Sequence, residues 1–286
     1  MKNILFPTDL SPAAEKAFIY ALQLASRLDA MVTTLHIYVK PEVKAKLPHT
    51  LSEFYASYDL EEFENYKDAI PPLTEIQKNS GFSDVKVVHL LKPGSRIVPA
   101  ILQTAREESA GLIVMGTTGA RGLREIFLGS IAGEVLENAD CPVLAVPEKA
   151  EFDGVIDQLA FTTTYKEEER NALEQVVSIM APFKPQIHCV NVDLAHTETL
   201  THRMDEFRAG FRKHKNIRFH VLEGNDIKEE IIGFLRDYEI DILAMVTHKR
   251  GFLEELFNYS RTKMMSYHAR TPVLSIPAHT LESGNG

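Results

Sequence analysis

The chain has 286 residues, a formal net charge of -9 at pH 7 and two cysteines. This length holds one large domain or two of roughly 140 residues, each able to bury its own core. The acidic balance disfavours a general nucleic-acid surface, since phosphate backbones require clustered positive charge. Two cysteines make no disulfide framework, and no basic leader or membrane-length apolar run is evident, so we expect a cytoplasmic protein.

Short apolar runs rich in β-formers alternate along the chain with longer stretches of helical periodicity. This alternation predicts an α/β fold in which helices cover a parallel sheet. The predicted strands of the first half are residues 3–6, 31–38, 84–91, 111–116 and 142–146. Those of the second half are residues 158–163, 186–192, 218–222, 241–246 and 272–276. The first helix begins at Ser11, a good N-cap residue, and its apolar face carries Ala14, Phe18, Ala21, Leu22 and Ala25.

The order of elements repeats, and the repeat can be tested by its register. Residues 5–9 lie over residues 160–164 at an offset of 155, whereas residues 35–37 lie over 187–189 at an offset of 152. From Gly94 onward the offset settles at 130 without a gap. A duplication explains this pattern better than chance. The change from 152 to 130 predicts 22 extra residues in the first half, within residues 39–72.

These boundaries predict two domains, at residues 1–147 and 157–278, with a polar and irregular linker at 148–156 and a disordered tail at 279–286. The extra segment of the first half is rich in aromatic residues. They could cap a ligand pocket or bind a partner, but aromatics at helical spacing usually pack a helix onto a core, and we favour that interpretation. The aromatic residues are Phe54, Tyr55, Tyr58, Phe63 and Tyr66.

A glycine loop follows the fourth predicted strand of the first half. It contains Gly116 and Gly119, then nine residues, then Gly129 and Ser130. In an open parallel sheet this loop lies at the ligand crevice beyond the carboxyl ends of the strands. Glycine lets the backbone approach phosphate oxygens, and the next helix start offers free N–H groups. The spacing is neither that of a Walker loop nor of a Rossmann fingerprint, and glycines that merely end a strand and begin a helix are the alternative.

Asp9 ends the first predicted strand, which is central in this topology. A carboxylate at that edge can accept hydrogen bonds from a ribose or a base. The alternative is a second helix-capping group beside Ser11. Because Asp9 and the distant glycine loop converge on one edge of the sheet, we favour a binding role.

The chain resembles the universal stress proteins of the adenine-nucleotide α-hydrolase-like superfamily. The resemblance rests on Pro7, Thr8 and Asp9 at the end of the first strand, and on His36 and Ile37 at the end of the second. It rests also on the G-x2-G-x9-G-S motif from Gly116 to Ser130 and on Cys-Pro-Val-Leu at the last strand. The family resemblance implies two tandem doubly wound domains, each a five-stranded parallel sheet with helices on both faces.

The resemblance also implies a ligand and the residues that hold it. Asp9 would contact the ribose of ATP, the backbone near Ile37 would meet the adenine, and the glycine motif with Ser130 would hold the phosphates, accompanied by Mg²⁺ or Mn²⁺. The implied binding residues are Pro7, Thr8, Asp9, Ile37, Met115, Gly116, Gly119, Gly129 and Ser130. In this family the last strands of two domains pair antiparallel, which implies an intramolecular pseudo-dimer here and leaves a homodimer open.

The second half has lost most of this motif. Val246 replaces Gly116, Lys249 replaces Gly119, Tyr259 replaces Gly129 and Thr164 replaces Asp9, while Ser260 keeps the place of Ser130. Side-chain bulk then stands where phosphate needs bare backbone, and any positive φ becomes unfavourable, so we predict no nucleotide there. The alternative is a basic patch for another anion or a partner, formed by His248, Lys249, Arg250, Arg261 and Lys263.

The leading functional hypothesis is a regulatory ATP-binding protein of the stress response that a protein partner reads. A slow ATPase or autokinase with Ser130 or Thr117 as phosphate acceptor is a second hypothesis, although no catalytic acid or base is evident at the loop. A nucleotide-free interaction scaffold is a third. The histidines at His36 and His188, which match at the offset of 152, and those at His89 and His220 are interpreted as structural rather than metal-binding.

Overall fold

The computed structural model of the chain describes residues 2–38, 51–94, 96–117, 129–194, 198–247 and 270–278. All ten predicted strands are present, with ends within three residues of those predicted. The first half holds β1 (Asn3–Pro7), α1 (Pro12–Leu28), β2 (Met31–Tyr38), α2 (Leu51–Asn79), β3 (Val87–Pro93), α3 (Ile97–Glu107), β4 (Leu112–Gly116), α4 (Ser130–Asn138) and β5 (Val143–Val146). The second half holds β6 (Gln158–Thr162), a 3-10 helix (Glu167–Glu169), α5 (Arg170–Met180), β7 (Gln186–Asp193), α6 (Glu198–Ala209), β8 (Ile217–Glu223), α7 (Ile227–Asp237), β9 (Ile242–Thr247) and β10 (Val273–Pro277).

The described strands form one ten-stranded sheet in the order β3-β2-β1-β4-β5-β10-β9-β6-β7-β8. Every neighbouring pair is parallel except β5 and β10, which are antiparallel. Each half therefore repeats the same five-strand order around a central first strand, as the doubly wound prediction requires.

The antiparallel seam between β5 and β10 has the symmetry of a two-fold dimer within one chain. Leu144 faces Leu274, Val143 faces Ser275 and Ala145 faces Val273. At the offset of 130 Leu144 and Leu274 are equivalent residues, so a pseudo-two-fold axis passes between them. The pairing covers two apolar strands that would otherwise be sheet edges, and it is the pairing that the family resemblance implies.

Two apolar layers bury the two faces of the sheet. Residues from α1, α5 and α6, such as Phe18, Leu173 and Phe207, form one layer, and Leu73 places α2 on the same face. Residues from α3, α4 and α7 form the other layer. All five predicted face residues of α1 are buried, because their spacing of three and four aligns them along one side of the helix.

The strand register corrects one part of the repeat. Phe6 pairs with Thr34 in the first half, and the equivalent Phe161 pairs with Cys189 in the second. The second strands therefore correspond at an offset of 155, and the predicted offset of 152 is wrong. The offset falls from 155 to 130 after these strands, so that the first half holds 25 extra residues rather than 22.

The extra residues lengthen the helix between the second and third strands. α2 has 29 residues, whereas its counterpart α6 has 12. Tyr66 is buried and Tyr58 packs near Tyr38, at 6.2 Å between ring centroids, as the packing interpretation expects. Phe63 contradicts it, because 54% of this residue is exposed on the outer side of the helix. The side chains of Phe54 and Tyr55 lie outside the described part of the structure.

The segment between the halves is irregular but anchored. Phe152 packs edge-on against Tyr20 of α1 at 4.7 Å, and Gln23 Nε2 donates to Gly154 O at 3.2 Å. Ile156 is buried. The composition of this segment predicts a connection without secondary structure, but only the packing shows that it covers one side of α1. The predicted tail at 279–286 lies outside the described residues.

Candidate functional site

The candidate site lies where the strand order of the first half reverses. β1 stands between β2 and β4, and both neighbours run parallel to it. The loops that leave the carboxyl ends of β1 and β4 therefore begin side by side, at Pro7 and Gly116, and then lead to opposite faces. Such a reversal opens a crevice in doubly wound sheets.

A tight turn follows β1 and displays Asp9. Leu10 N donates to Thr8 Oγ1 at 3.0 Å, and Ser11 N donates to Asp9 Oδ1 at 3.1 Å. Leu10 has a φ of 61°, which lets the chain reverse into α1. The turn is buried at Thr8 and exposed at Asp9. The bond from Ser11 N is the one that the capping alternative expects of Asp9. The exposure of Asp9 at the edge of the sheet agrees with the binding interpretation.

His36 braces this turn from β2. Its Nδ1 lies 3.0 Å from Thr8 O, and because a carbonyl oxygen only accepts, Nδ1 carries the proton. Tyr66 of α2 stacks on the imidazole ring at 5.6 Å between centroids. The lengthened helix of the first half therefore supports the site indirectly.

A hydroxyl network lies beneath His36. Tyr66 OH and Thr34 Oγ1 are 3.1 Å apart, and Thr34 Oγ1 lies 2.8 Å from His89 Nδ1. Burial lowers the pKa of His89 and raises the pKa of Tyr66, so both side chains stay neutral near pH 7. His89 is therefore a structural residue, as its sequence context suggests.

Ile37, the residue before the last of β2, lies next to a glycine that the sequence did not assign to the site. Gly94 N donates to Tyr38 O at 3.0 Å, and a Cβ on Gly94 would stand 2.9 Å from Ile37 Cγ2. Glycine is required here so that the chain after β3 can approach Ile37 closely. The recurrence of glycine at Gly224 in the repeat was the available signal for Gly94.

The two ends of the glycine loop are tied together by backbone bonds. Thr117 N donates to Val146 O at 3.0 Å, and Gly129 N donates to Thr117 O at 2.7 Å. A Cβ on Gly129 would stand 2.9 Å from Thr117 O. Gly129 has a φ of -66°, which residues with a side chain also adopt, so a positive φ does not explain the glycine at this position. Its constraint is close approach to a carbonyl.

The structure brings eight of the nine predicted site residues to one edge of the sheet. Met115 is buried beneath the edge at the end of β4, and exposed Ser130 begins α4. Gly119 lies outside the described residues. Thr117, which the enzyme hypothesis names as a phosphate acceptor, is 3% exposed and so is poorly placed for that role.

The sequence also missed the state of Ser11. It occupies the N-cap of α1 as predicted, yet its side chain makes no capping bond. Its hydroxyl is buried without a hydrogen-bond partner among the described residues. A buried hydroxyl without a partner costs roughly 1–3 kcal/mol, so an unpaired one beside a crevice is notable.

At the equivalent edge of the second half, Val246 near the end of β9 stands in place of Gly116, and Thr164 stands in place of Asp9. The positions equivalent to Gly119, Gly129 and Ser130 lie outside the described residues, as does the basic patch from His248 to Lys263.

The histidines of the second half form a pair, and the strand register corrects the predicted match between His36 and His188. His36 is equivalent to Asn191 rather than to His188, and Asn191 Nδ2 likewise donates to the turn carbonyl, Thr163 O, at 2.5 Å. His188 Nδ1 lies 3.0 Å from His220 Nε2, so each has a close ring neighbour that the sequence did not show.

The proton positions of this pair follow from its partners. His188 Nε2 lies 2.9 Å from Gln158 Oε1, which only accepts, so Nε2 carries the proton and Nδ1 accepts from His220. Burial, then repulsion from Arg218 and from His220 in its protonated form, lowers the pKa of His188 to about 4. A neutral pair among Phe234 and Tyr238 is a structural arrangement. Among the described residues no cluster of three metal-ligating side chains occurs.

Comparison with known proteins agrees with the fold. The family model described as "Universal stress protein family" matches residues 1–147. The chain belongs to the universal stress protein family. The second half lies outside that match. In the helices that the structure describes, none is long and apolar enough to cross a membrane.

Relatives and solved structures show how far the similarity extends. One universal stress protein of Methanocaldococcus jannaschii is 37% identical over 148 residues, which cover 51% of this chain and 81% of that protein. A second from the same organism is 31% identical over 161 residues, which cover 52% of this chain and 96% of that protein. A crystal structure of a universal stress protein from Archaeoglobus fulgidus matches with a TM-score of 0.70 at 18% identity, over 96% of both chains. That similarity extends the fold to both halves.

Proposed function

We propose that the first half binds an adenine nucleotide, with ATP as the expected ligand, in the crevice beyond β1 and β4. We also propose that nucleotide occupancy regulates a surface which a protein partner reads during the stress response. One observation carries the nucleotide proposal. Residues from separate parts of the chain, Asp9, Ile37, Gly116 and Gly129, lie around the same edge where the strand order reverses.

The proposed roles follow from the chemistry at each position. The exposed Asp9 carboxylate accepts hydrogen bonds from ribose hydroxyls, and the backbone beside Ile37 and Met115 meets the adenine. Gly116 and Gly129 leave room for phosphate oxygens, and the N-terminus of α4 at Ser130 supplies N–H donors and the positive end of its dipole. Pro7 and Thr8 set the turn, and Gly119 completes the motif.

A metal ion would enter this site with the phosphates. Mg²⁺ keeps several water ligands and binds through substrate phosphates, so it does not require a protein cage. The carboxylate of Asp9 is the acidic side chain that the described part of the crevice offers. We therefore propose that Mg²⁺ or Mn²⁺ is held chiefly by phosphate oxygens and water.

The domain boundaries form part of the proposal. Residues 1–147 would be the nucleotide domain, 148–156 the linker and 157–278 a domain without nucleotide. Thr164 removes the ribose acceptor, and Val246 adds bulk at the loop start. Within one chain, β5 and β10 pair the two halves as a pseudo-dimer. Whether two chains also associate is measured separately, from the molecular mass in solution.

Titration calorimetry of the full chain with ATP and Mg²⁺ tests the proposal. We expect about one ATP to bind per chain. The affinities for ADP and AMP, and the release of phosphate from ATP, are measured in the same preparation. Gly129→Tyr copies the residue at Tyr259 and should weaken binding at least about 100-fold, because its Cβ meets Thr117 O. Gly233→Ala is the matched control, since no atom lies nearer than 4.0 Å to its added Cβ. No binding by the wild-type chain, or equal binding by Gly129→Tyr, would contradict the proposal.

A further inference from the structure

The turns after β1 and β6 are built alike, so they can be compared residue by residue. Tyr165 N donates to Thr163 Oγ1 at 2.9 Å, as Leu10 N does to Thr8 Oγ1. Tyr165 also has a positive φ of 57°, close to the 61° of Leu10. The two backbones therefore present the same N–H groups at an offset of 155.

In the second half one buried carboxylate gathers the donors of this turn. Glu169 Oε2 accepts from Thr163 Oγ1 at 2.7 Å, from Thr164 N at 2.7 Å and from Lys166 N at 3.4 Å. Glu169 is 3% exposed. The carboxylate thus fills the inner side of the turn, where three donors and the start of a helix stabilise its charge.

A simple capping box does not account for this arrangement. A capping box requires that the third helical residue bonds the N-cap N–H, here that of Lys166. That contact is the longest of the three. The two shorter ones go to Thr163 and Thr164, the residues equivalent to Thr8 and Asp9, so Glu169 chiefly satisfies the turn at the sheet edge.

The first half lacks this carboxylate. The residue equivalent to Glu169 is Ala14, the third residue of α1, and it is buried. Asp9, exposed at the edge, instead accepts from Ser11 N. The Ser11 hydroxyl remains buried without a partner among the described residues. The first turn therefore keeps an outward carboxylate and an unsatisfied hydroxyl, whereas the second turn is sealed from within.

We propose that Glu169 closes the second-half turn to ligands, and that alanine at position 14 keeps the first-half turn open to a polar group of the bound nucleotide. The first-half part rests on the proposed nucleotide site. The second-half part rests on the bonds of Glu169 alone. An internal carboxylate both occupies the donors and repels a phosphate-bearing ligand across a short distance.

Ala14→Glu tests the first half, because it places the closing residue in an equivalent turn. We expect calorimetry to show ATP binding at least about tenfold weaker than in the wild-type chain, since a ligand must displace a satisfied carboxylate. The side chain of Ala14→Gln has nearly the same size as that of Ala14→Glu but no charge, so this variant should lose less ATP affinity. Thermal unfolding verifies that both variants fold. Wild-type affinity in a folded Ala14→Glu chain would overturn this part.

Amide hydrogen exchange of Glu169→Ala tests the second half without any ligand. We expect the Thr164 and Lys166 amides to exchange roughly tenfold faster than in the wild-type chain. Glu168→Ala is the matched control, because it removes an exposed carboxylate from the same run. Unchanged exchange in Glu169→Ala would overturn the closing role. If the wild-type chain binds no ATP, the nucleotide proposal fails, while this experiment still decides what Glu169 does.

Discussion

The faces of the sheet under α3 and α7 show how the two halves diverged. In the first half Thr33 Oγ1 donates to Asn3 Oδ1 at 2.9 Å. In the second half His188 takes the place of Thr33 and bonds Gln158, the residue equivalent to Asn3. The polar pair thus persists at one backbone position while the residue types change. The second half then extends the pair toward β8, the outermost strand of the sheet, through His220, whose first-half equivalent is Leu90.

The same difference recurs at the sheet edge. The second half directs polar groups inward: Glu169 accepts from the Thr164 amide, and the Tyr165 hydroxyl donates to the Cys189 carbonyl. The first half exposes Asp9 at the edge and leaves Ser11 without an internal partner among the described residues. The comparison teaches that a shared fold does not require a shared site. One half can become internally satisfied while the other retains groups for a ligand.

The largest effect on stability is expected for Tyr66→Ala. Tyr66 is buried, stacks on His36 and bonds Thr34, so truncation should lower the free energy of unfolding by about 3 kcal/mol. Phe63→Ala removes an exposed ring from the same helix and should change the free energy of unfolding by less than about 0.5 kcal/mol. Denaturant titration measures both. Equal losses would show that the lengthened helix packs differently from the structure.

The histidine pair predicts an intermediate effect that depends on pH. The pKa of His188 is about 4 in the folded chain against an ordinary 6.5, so the unfolded chain takes up the proton first as pH falls. Stability from the neutral pair is full above pH 6.5 and is lost on the way to pH 4, by about 2 kcal/mol once solvent screening reduces the full linkage effect.

Replacing the pair with the first-half residues isolates that contribution. His188→Thr with His220→Leu copies Thr33 and Leu90, and the double variant should lose less stability between pH 7 and pH 4 than the wild-type chain. Chemical denaturation at several pH values measures the difference. Parallel pH profiles would mean that the pair does not carry the acid sensitivity.

The smallest effect concerns helix starts at equivalent positions. Asp226 caps α7 by accepting from Lys228 N at 2.8 Å and from Glu229 N at 3.1 Å. Its first-half equivalent, Arg96, makes no side-chain capping bond to α3. Asp226→Ala should therefore lower the free energy of unfolding by about 1 kcal/mol, and Arg96→Ala should leave it nearly unchanged. A cost for Arg96→Ala that matches the cost for Asp226→Ala would show that the two helix starts are equivalent.

The sequence predicted the strands well because their apolar runs are short and bounded by polar segments. It placed Asp9 and Gly116 at one edge because parallel strands of this order share their carboxyl ends. It assigned the wrong equivalent to His36 because residues 187–189 resemble residues 35–37 in sequence but lie three residues out of register. Backbone pairing, which decides the register, is not visible in a short match.

By itself the sequence determined the element order, the duplication, the glycine spacing and the residues that the second half has lost. These follow from periodicity and spacing, which are local properties of the chain. Only the tertiary structure decided that His188 meets His220, that Gly129 needs close approach rather than a positive φ, and that Glu169 seals a turn. Contacts of that kind join atoms whose distances depend on how the strands and helices pack together, and spacing along the chain does not fix those distances.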